Sequence, residues 1–298
     1  MSRLAATTLA VLLAAPTARA YCRTTTSRAA ALPGGCATTG VPLAWRNLCT
    51  SYSLFRTNIP PEIALPDLDS LASTATGAWG RVACDDNGRE PQYYRIISDG
   101  LTSQPTGYDP AGSNANTVSF RTHWNDDALH RSGTIAITVV TFDALTGEIF
   151  DADIEMNRRT EQNPGGFVFA MNRVPGPDEC DLRTILTHEF GHFLGLAHSP
   201  QDRAVMYPTA GLGEVRSDLT SDDAAGICSI YPERNAPPGL CVGVPYGGLA
   251  TVPGGDKVRG ASCSMAPGGT SRSLGVFTVL TLAVCFGRRR ERRATLRS

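Results

Sequence analysis

The chain has 298 residues, 27 of them basic and 28 acidic, with nine cysteines and 42% hydrophobic side chains. Apart from arginines gathered at the C-terminal end it carries no basic run, which argues against nucleic acid as a partner because phosphate binding needs clustered positive charge. The length suits one domain of ordinary size with extra segments at both ends.

Residues 4–16 form an Ala/Leu-rich apolar run behind Arg3, followed by Ala18-Arg19-Ala20. This is the order of a secretory signal, expected over residues 1–20 with cleavage before Tyr21. The run is too short for a membrane helix of about 20 residues. Residues 21–44 read as a short N-terminal segment and 45–234 as a single α/β domain. Within it, Leu48–Phe55 predicts a strand. Asp67–Val82 predicts a helix capped by Asp67, with Leu68, Leu71, Ala72, Ala75 and Trp79 at helical spacing. Gln92–Ser98, Thr117–Thr122 and the β-branched Gly133–Thr141 read as strands. A turn over Asp143–Gly147 leads to a strand at Glu148–Met156, which places Asp151, Asp153 and Glu155 on one face. Alternating carboxylates of this kind are expected to face solvent; Ca²⁺ binding through their oxygens is the alternative.

The next helix opens at about Asp181, a capping residue, and runs through Leu182, Ile185, Leu186 and Phe190 toward Gly195. It carries HEFGHFLGLAH at residues 188–198. Positions four apart lie one turn apart on the same helix face, so His188 and His192 can meet one metal ion. Gly195 lets the backbone leave the helix at positive φ and brings round His198 as a third nitrogen. Three neutral imidazoles suit Zn²⁺ with a fourth position left for water. Glu189 is then placed to take a proton from that water. The bland alternative is a helix with incidental histidines, but three of the five histidines in the whole chain sit in this motif. A last helix is expected from Ser217–Ser221 to just before Pro232.

The motif and its sequel resemble the matrixins among the metzincin metalloproteases. The resemblance rests on HEFGHFLGLAHS, on Ala204-Val205-Met206-Tyr207-Pro208 as a Met-turn eight residues beyond His198, and on Leu219–Ile227 with its paired aspartates. It spans about residues 45–232. It implies a twisted, mostly parallel sheet with an antiparallel edge strand, a zinc helix and a C-terminal helix. It further implies one catalytic Zn²⁺ held by His188, His192 and His198, Glu189 as general base, and support from Gly195, Met206 and Pro208. The implied activity is endopeptidase hydrolysis of protein or peptide substrates by a monomer. Substrate would lie along Gly133–Thr141 or Glu148–Met156, with specificity set near Val205–Ala210. The other reading is a surface-displayed binding protein with an inactive metzincin fold, although Glu189 is retained. The chain departs from the family in three respects. No room exists for a helical prodomain, and Pro33-Gly34-Gly35-Cys36 reads as a disulfide half. His123 and His130 lack the spacing of a second zinc site and are expected to be surface or hydrogen-bonded residues. Calcium at Asp151, Asp153 and Glu155 stays a minor alternative.

Beyond the domain, residues 235–269 form a Gly/Pro-rich linker, and 270–298 an apolar stretch (Leu274–Gly287) followed by clustered arginines. Together with Cys263 the tail is similar to the C-terminal sorting tails of myxobacterial surface proteins. It is expected to be the chain's only link to a membrane, leaving the domain at the cell surface or released after processing. Setting aside the two signal arginines and the net +6 beyond Cys263, the whole-chain −1 becomes −9 for the exported part. Seven of its cysteines (22, 36, 49, 84, 180, 228, 241) are expected to be mostly paired, in an order the spacing leaves open.

Overall fold

The computed structural model describes residues 21–27, 36–37, 39–46, 49–84, 94–109, 114–126 and 130–231, and the backbone of 277–284. The elements in chain order are β1 (Cys22–Arg23), β2 (Cys49–Phe55), α1 (Leu65–Gly80), β3 (Arg95–Thr102), β4 (Thr117–Arg121), β5 (Thr134–Phe142) and β6 (Ile149–Asn157). They continue with β7 (Val168–Ala170), β8 (Glu179–Asp181), α2 (Leu182–Phe193), β9 (Leu196–Ala197), α3 (Ser221–Ile230) and β10 (Phe277–Val284).

The main sheet has the order β10-β5-β6-β4-β2-β3. β3, β2, β4 and β6 run parallel, and β5 pairs antiparallel with β6. This is the mixed α/β architecture expected, a mostly parallel sheet with an antiparallel strand at its border. β10 adds a further antiparallel strand outside β5, from Phe277 opposite Phe142 to Val284 opposite Thr134. Those residues belong to the apolar stretch assigned to a membrane or sorting tail. Here they lie as a strand, and among the described residues no helix is long and apolar enough to cross a membrane. The signal segment, Cys263 and the arginine cluster fall outside the described residues.

α1 and α2 pack on one face of the sheet because each contributes one apolar stripe. Leu68, Leu71, Ala72, Ala75 and Trp79 of α1 are buried together with Leu182, Ile185, Leu186, Phe190 and Phe193 of α2. Trp79 ties the two by donating from Nε1 to the carbonyl of Thr187 at 2.8 Å. α1 begins at Leu65, with Pro66 in its first turn, so Asp67 sits inside that turn and does not cap it. Proline favours this position since its missing N–H would have no helical partner anyway.

The opposite face differs from its expectation. Asp151, Asp153 and Glu155 share one face of β6 but are 1%, 1% and 4% exposed. Glu155 is covered by the loop bearing His130, whose Nε2 meets Glu155 Oε2 at 2.6 Å. Asp153 is covered by Gly107, whose N–H donates to Oδ2 at 2.5 Å, and by Thr117, whose N–H and hydroxyl reach Oδ1 at 2.8 and 2.7 Å. Alternation marked the face correctly, but loops bury it, so both sides of β6 are interior. The same contact makes His130 the hydrogen-bonded histidine that was expected.

Burial and mutual proximity raise Asp151 well above the usual carboxylate range, and burial pushes Asp153 up to about 6. Such groups hold protons more tightly folded than unfolded. Their stabilising contribution is full below about pH 4 and declines as pH rises through 6. We therefore expect Asp151→Asn to raise the melting temperature at pH 7–8 and to flatten the decline in stability as pH rises above about 4. Thermal unfolding of both proteins across that range measures it; parallel curves would contradict it.

Disulfides join Cys22 to Cys36 and Cys84 to Cys228, and Cys49 is also disulfide-bonded.

A buried three-histidine centre

α2 is positioned from both ends. Asp181 caps it as expected, its carboxylate accepting from the Thr184 N–H at 2.8 Å and hydroxyl at 2.7 Å. At the far end the last carbonyls lack helical partners. Trp45 Nε1 donates to Phe193 O at 2.8 Å and the Tyr231 hydroxyl to Leu194 O at 3.0 Å. Gly195 then turns the chain at φ +99°, and a Cβ there would lie 2.6 Å from the carbonyl of Leu43. Positive φ and this close approach both demand glycine. The N-terminal segment secures the turn: β1 pairs with β9, and Thr24 donates from N to Gly195 O and from Oγ1 to Leu196 O, each at 2.9 Å.

The turn brings His198 back toward His188 and His192. One ligand atom from each lies within 4.8 Å of the others. Ring centroids are 4.7, 4.8 and 5.3 Å apart. The Nε2 atoms of all three are buried without a hydrogen-bond partner. Three orphaned acceptors facing one another are costly unless a cation meets them. The opposite nitrogens explain their orientation. His188 Nδ1 lies 2.7 Å from Val205 O and His192 Nδ1 2.8 Å from Leu196 O. A carbonyl only accepts, so Nδ1 bears the hydrogen and Nε2 keeps its lone pair, as a metal ligand requires. Burial drives the imidazoles toward the neutral form, His188 to about 4, His198 to about 3 and His192 well below its ordinary value. The donor set fits a zinc ion.

Glu189 is fully buried beside this group. Its Oε2 accepts from the Thr138 hydroxyl of β5 at 2.6 Å, while Oε1 has no partner. Burial pushes the carboxyl up to about 8, against the opposing pull of the Thr138 bond. A divalent cation on the adjoining imidazoles would favour the carboxylate again.

Met206 lies under α2. Its sulfur abuts Gly191, where any Cβ would collide with it, and Trp79 Cζ2 would lie only 2.8 Å from that Cβ. Asp223 fixes the turn from α3, accepting the Val205 N–H at 2.9 Å and the Met206 N–H at 3.1 Å. The same carboxylate closes the capping box of α3 with Thr220. Ser199 donates to Asp222 at 2.7 Å. Pro208 follows Tyr207 at the outer end of the turn and is half-buried. All the expected site residues except Pro208 thus share one cluster of contacts, while Asp151, Asp153 and Glu155 lie on the sheet's other face. Thr138, Gly191 and Asp223 were not singled out from sequence. Thr138 was hidden in a strand composed mostly of β-branched residues, and Asp223 was visible only as one of a pair of aspartates.

For the peptide hydrolysis proposed below, we expect Thr138→Val to lower kcat roughly 10–100-fold, the worth of a hydrogen bond to a charged group, with KM nearly unchanged. Thr138→Ser should restore the rate. Peptide kinetics on the three proteins decide it; an unchanged kcat in the valine variant would remove Thr138 from the site.

Comparison with known proteins agrees with this geometry. Residues 112–232 match the matrixin family model. Metalloendoproteinase 1-MMP of Arabidopsis thaliana is 37% identical over 92 residues, 30% of this chain and 25% of that protein. Matrilysin of Mus musculus is 52% identical over 50 residues, 16% of this chain and 19% of that protein. Matrix metalloproteinase-27 of Tupaia belangeri is 24% identical over 215 residues, 72% of this chain and 32% of that protein. The chain spans between a quarter and a third of the first two curated relatives it matches, 25% and 29%. Fold, donor set and matches together support a matrixin-like metzincin.

Proposed function

We propose that the chain is an exported zinc endopeptidase. The observation that carries this reading is the convergence of three buried, orphaned Nε2 atoms beside a buried carboxylate with one oxygen unsatisfied. His188, His192 and His198 would hold the ion, which when bound supplies a Lewis acid and an acidified water. Glu189 Oε1 takes the proton of the attacking water and delivers it to the departing amine nitrogen, while Thr138 keeps the other oxygen in place. The Nδ1 bonds to Val205 and Leu196 prevent the imidazoles from turning away. Burial of His188, His192 and Glu189 strengthens each electrostatic contact they make.

A peptide substrate needs a strand edge. β6 lies between β4 and β5, whereas β5 has on its outer side only β10, from the C-terminal stretch. It already accepts an antiparallel partner in β10, and a substrate would take the same backbone hydrogen bonds in its place. The reading does not call on calcium: of the three carboxylates considered for it, Asp153 and Glu155 are engaged by donors from the protein itself. Export rests on the signal pattern over residues 1–20, and the disulfides agree with an oxidising compartment.

The test is digestion of denatured casein by the purified chain, with and without a chelator. Chelator-sensitive cleavage that returns with added zinc is expected. Intact casein under all conditions would favour the binding-protein reading, in which the fold is kept without turnover.

A further inference from the structure

One turn before His188, the metal-facing side of α2 continues into a recess. Thr184, Ile185 and His188 form one wall and Val205, Tyr207 and Thr209 the other, with Arg216 closing the space. The cavity left is about 10 Å³, room for little more than one water-sized group. Arg216 is held on several sides. Its backbone N–H donates to Thr184 Oγ1 at 2.8 Å, Nη1 to Thr209 O at 3.0 Å and Nε to Glu214 Oε1 at 3.1 Å. The guanidinium carbon stands 5.5 Å from the centre of the Tyr207 ring. Glu214 is itself oriented by the Gly211 N–H at 2.8 Å. The guanidinium charge is matched by Glu214, so the recess excludes bulk without attracting an anion.

We propose that Arg216 is a specificity-determining residue that plugs this recess, restricting the chain to peptide bonds flanked by a small side chain (Gly, Ala or Ser) on the side lying against His188. The inference rests on the peptidase reading above. An alanine methyl fits beside Ile185 and Val205 with Arg216 in place. A leucine or phenylalanine enters only if Arg216 gives up Thr209 and Glu214 together. Removing the side chain beyond Cβ leaves the backbone bond to Thr184 intact and opens the space.

The experiment is cleavage of a diverse peptide library by the full chain, with both new termini mapped by mass spectrometry. It is followed by kinetics on a peptide pair differing as alanine or leucine at the enriched position. Wild type should enrich small residues on one side of the cut and prefer the alanine peptide by at least about tenfold in kcat/KM. Arg216→Ala should reverse that preference, whereas Arg216→Met, which keeps the length and loses the charge, should stay close to wild type. If wild type cleaves the leucine peptide as fast as the alanine peptide, the plug is refuted whatever the variants do. If Arg216→Ala cleaves with an unchanged preference, the plug is refuted while the peptidase reading stands. If wild type cuts no peptide in the library, both fail.

Discussion

Glu189→Gln should lower kcat/KM for a peptide substrate by about 10³–10⁴-fold, the usual worth of a general base at the reacting centre. The substitution conserves shape in a site with no exposure, and the amide can still accept from Thr138. What it removes is the ability of the unsatisfied oxygen to take a proton. The three imidazoles are untouched, so zinc content should match wild type, which separates lost chemistry from a lost ion. Steady-state kinetics beside elemental analysis of the same preparation give both quantities. Equal cleavage by the variant would show that the proton goes elsewhere.

The second large effect concerns stability. The Cys84–Cys228 bond joins the chain just past α1 to α3 across a sequence separation of 144 residues. Loop-closure entropy for a loop of that size gives about 5 kcal/mol, and measured bridges give about 2–4. Replacing both cysteines by serine should lower the melting temperature by roughly 10 °C at this chain length. α3 supplies Asp223, which fixes Val205 and Met206 beneath the metal helix. Zinc affinity should fall along with the melting temperature. A double variant that melts with wild type would mean that packing alone holds α3 in place.

Much of this was legible from sequence because period and spacing are local properties. The Asp181 cap, the i, i+4 histidines and the positive φ of Gly195 each depend on a few neighbouring residues, and the structure places all three as expected. Apart from the start of α1, misplaced features depended on long-range contacts. Asp67 looked like a cap until Pro66 moved the helix start upstream. The carboxylate face of β6 looked wet because nothing in its own strand shows that the loops carrying Gly107 and His130 fold over it. Thr138 lies 51 residues from Glu189 in sequence, so only the sheet register could reveal their bond. Arg216 is similarly remote from Thr184, and a lone arginine after the Met-turn gives no sign that it closes a recess.

The proposed activity depends on one zinc ion held by His188, His192 and His198. The most direct measurement is a zinc titration of chelator-stripped protein, following peptide cleavage and bound metal together. Cleavage should rise in proportion to bound zinc and level off at about one ion per chain. His192→Ala should bind little zinc and cleave nothing. Cleavage that persists in fully stripped protein, or activity in His192→Ala equal to wild type, would rule out a zinc peptidase.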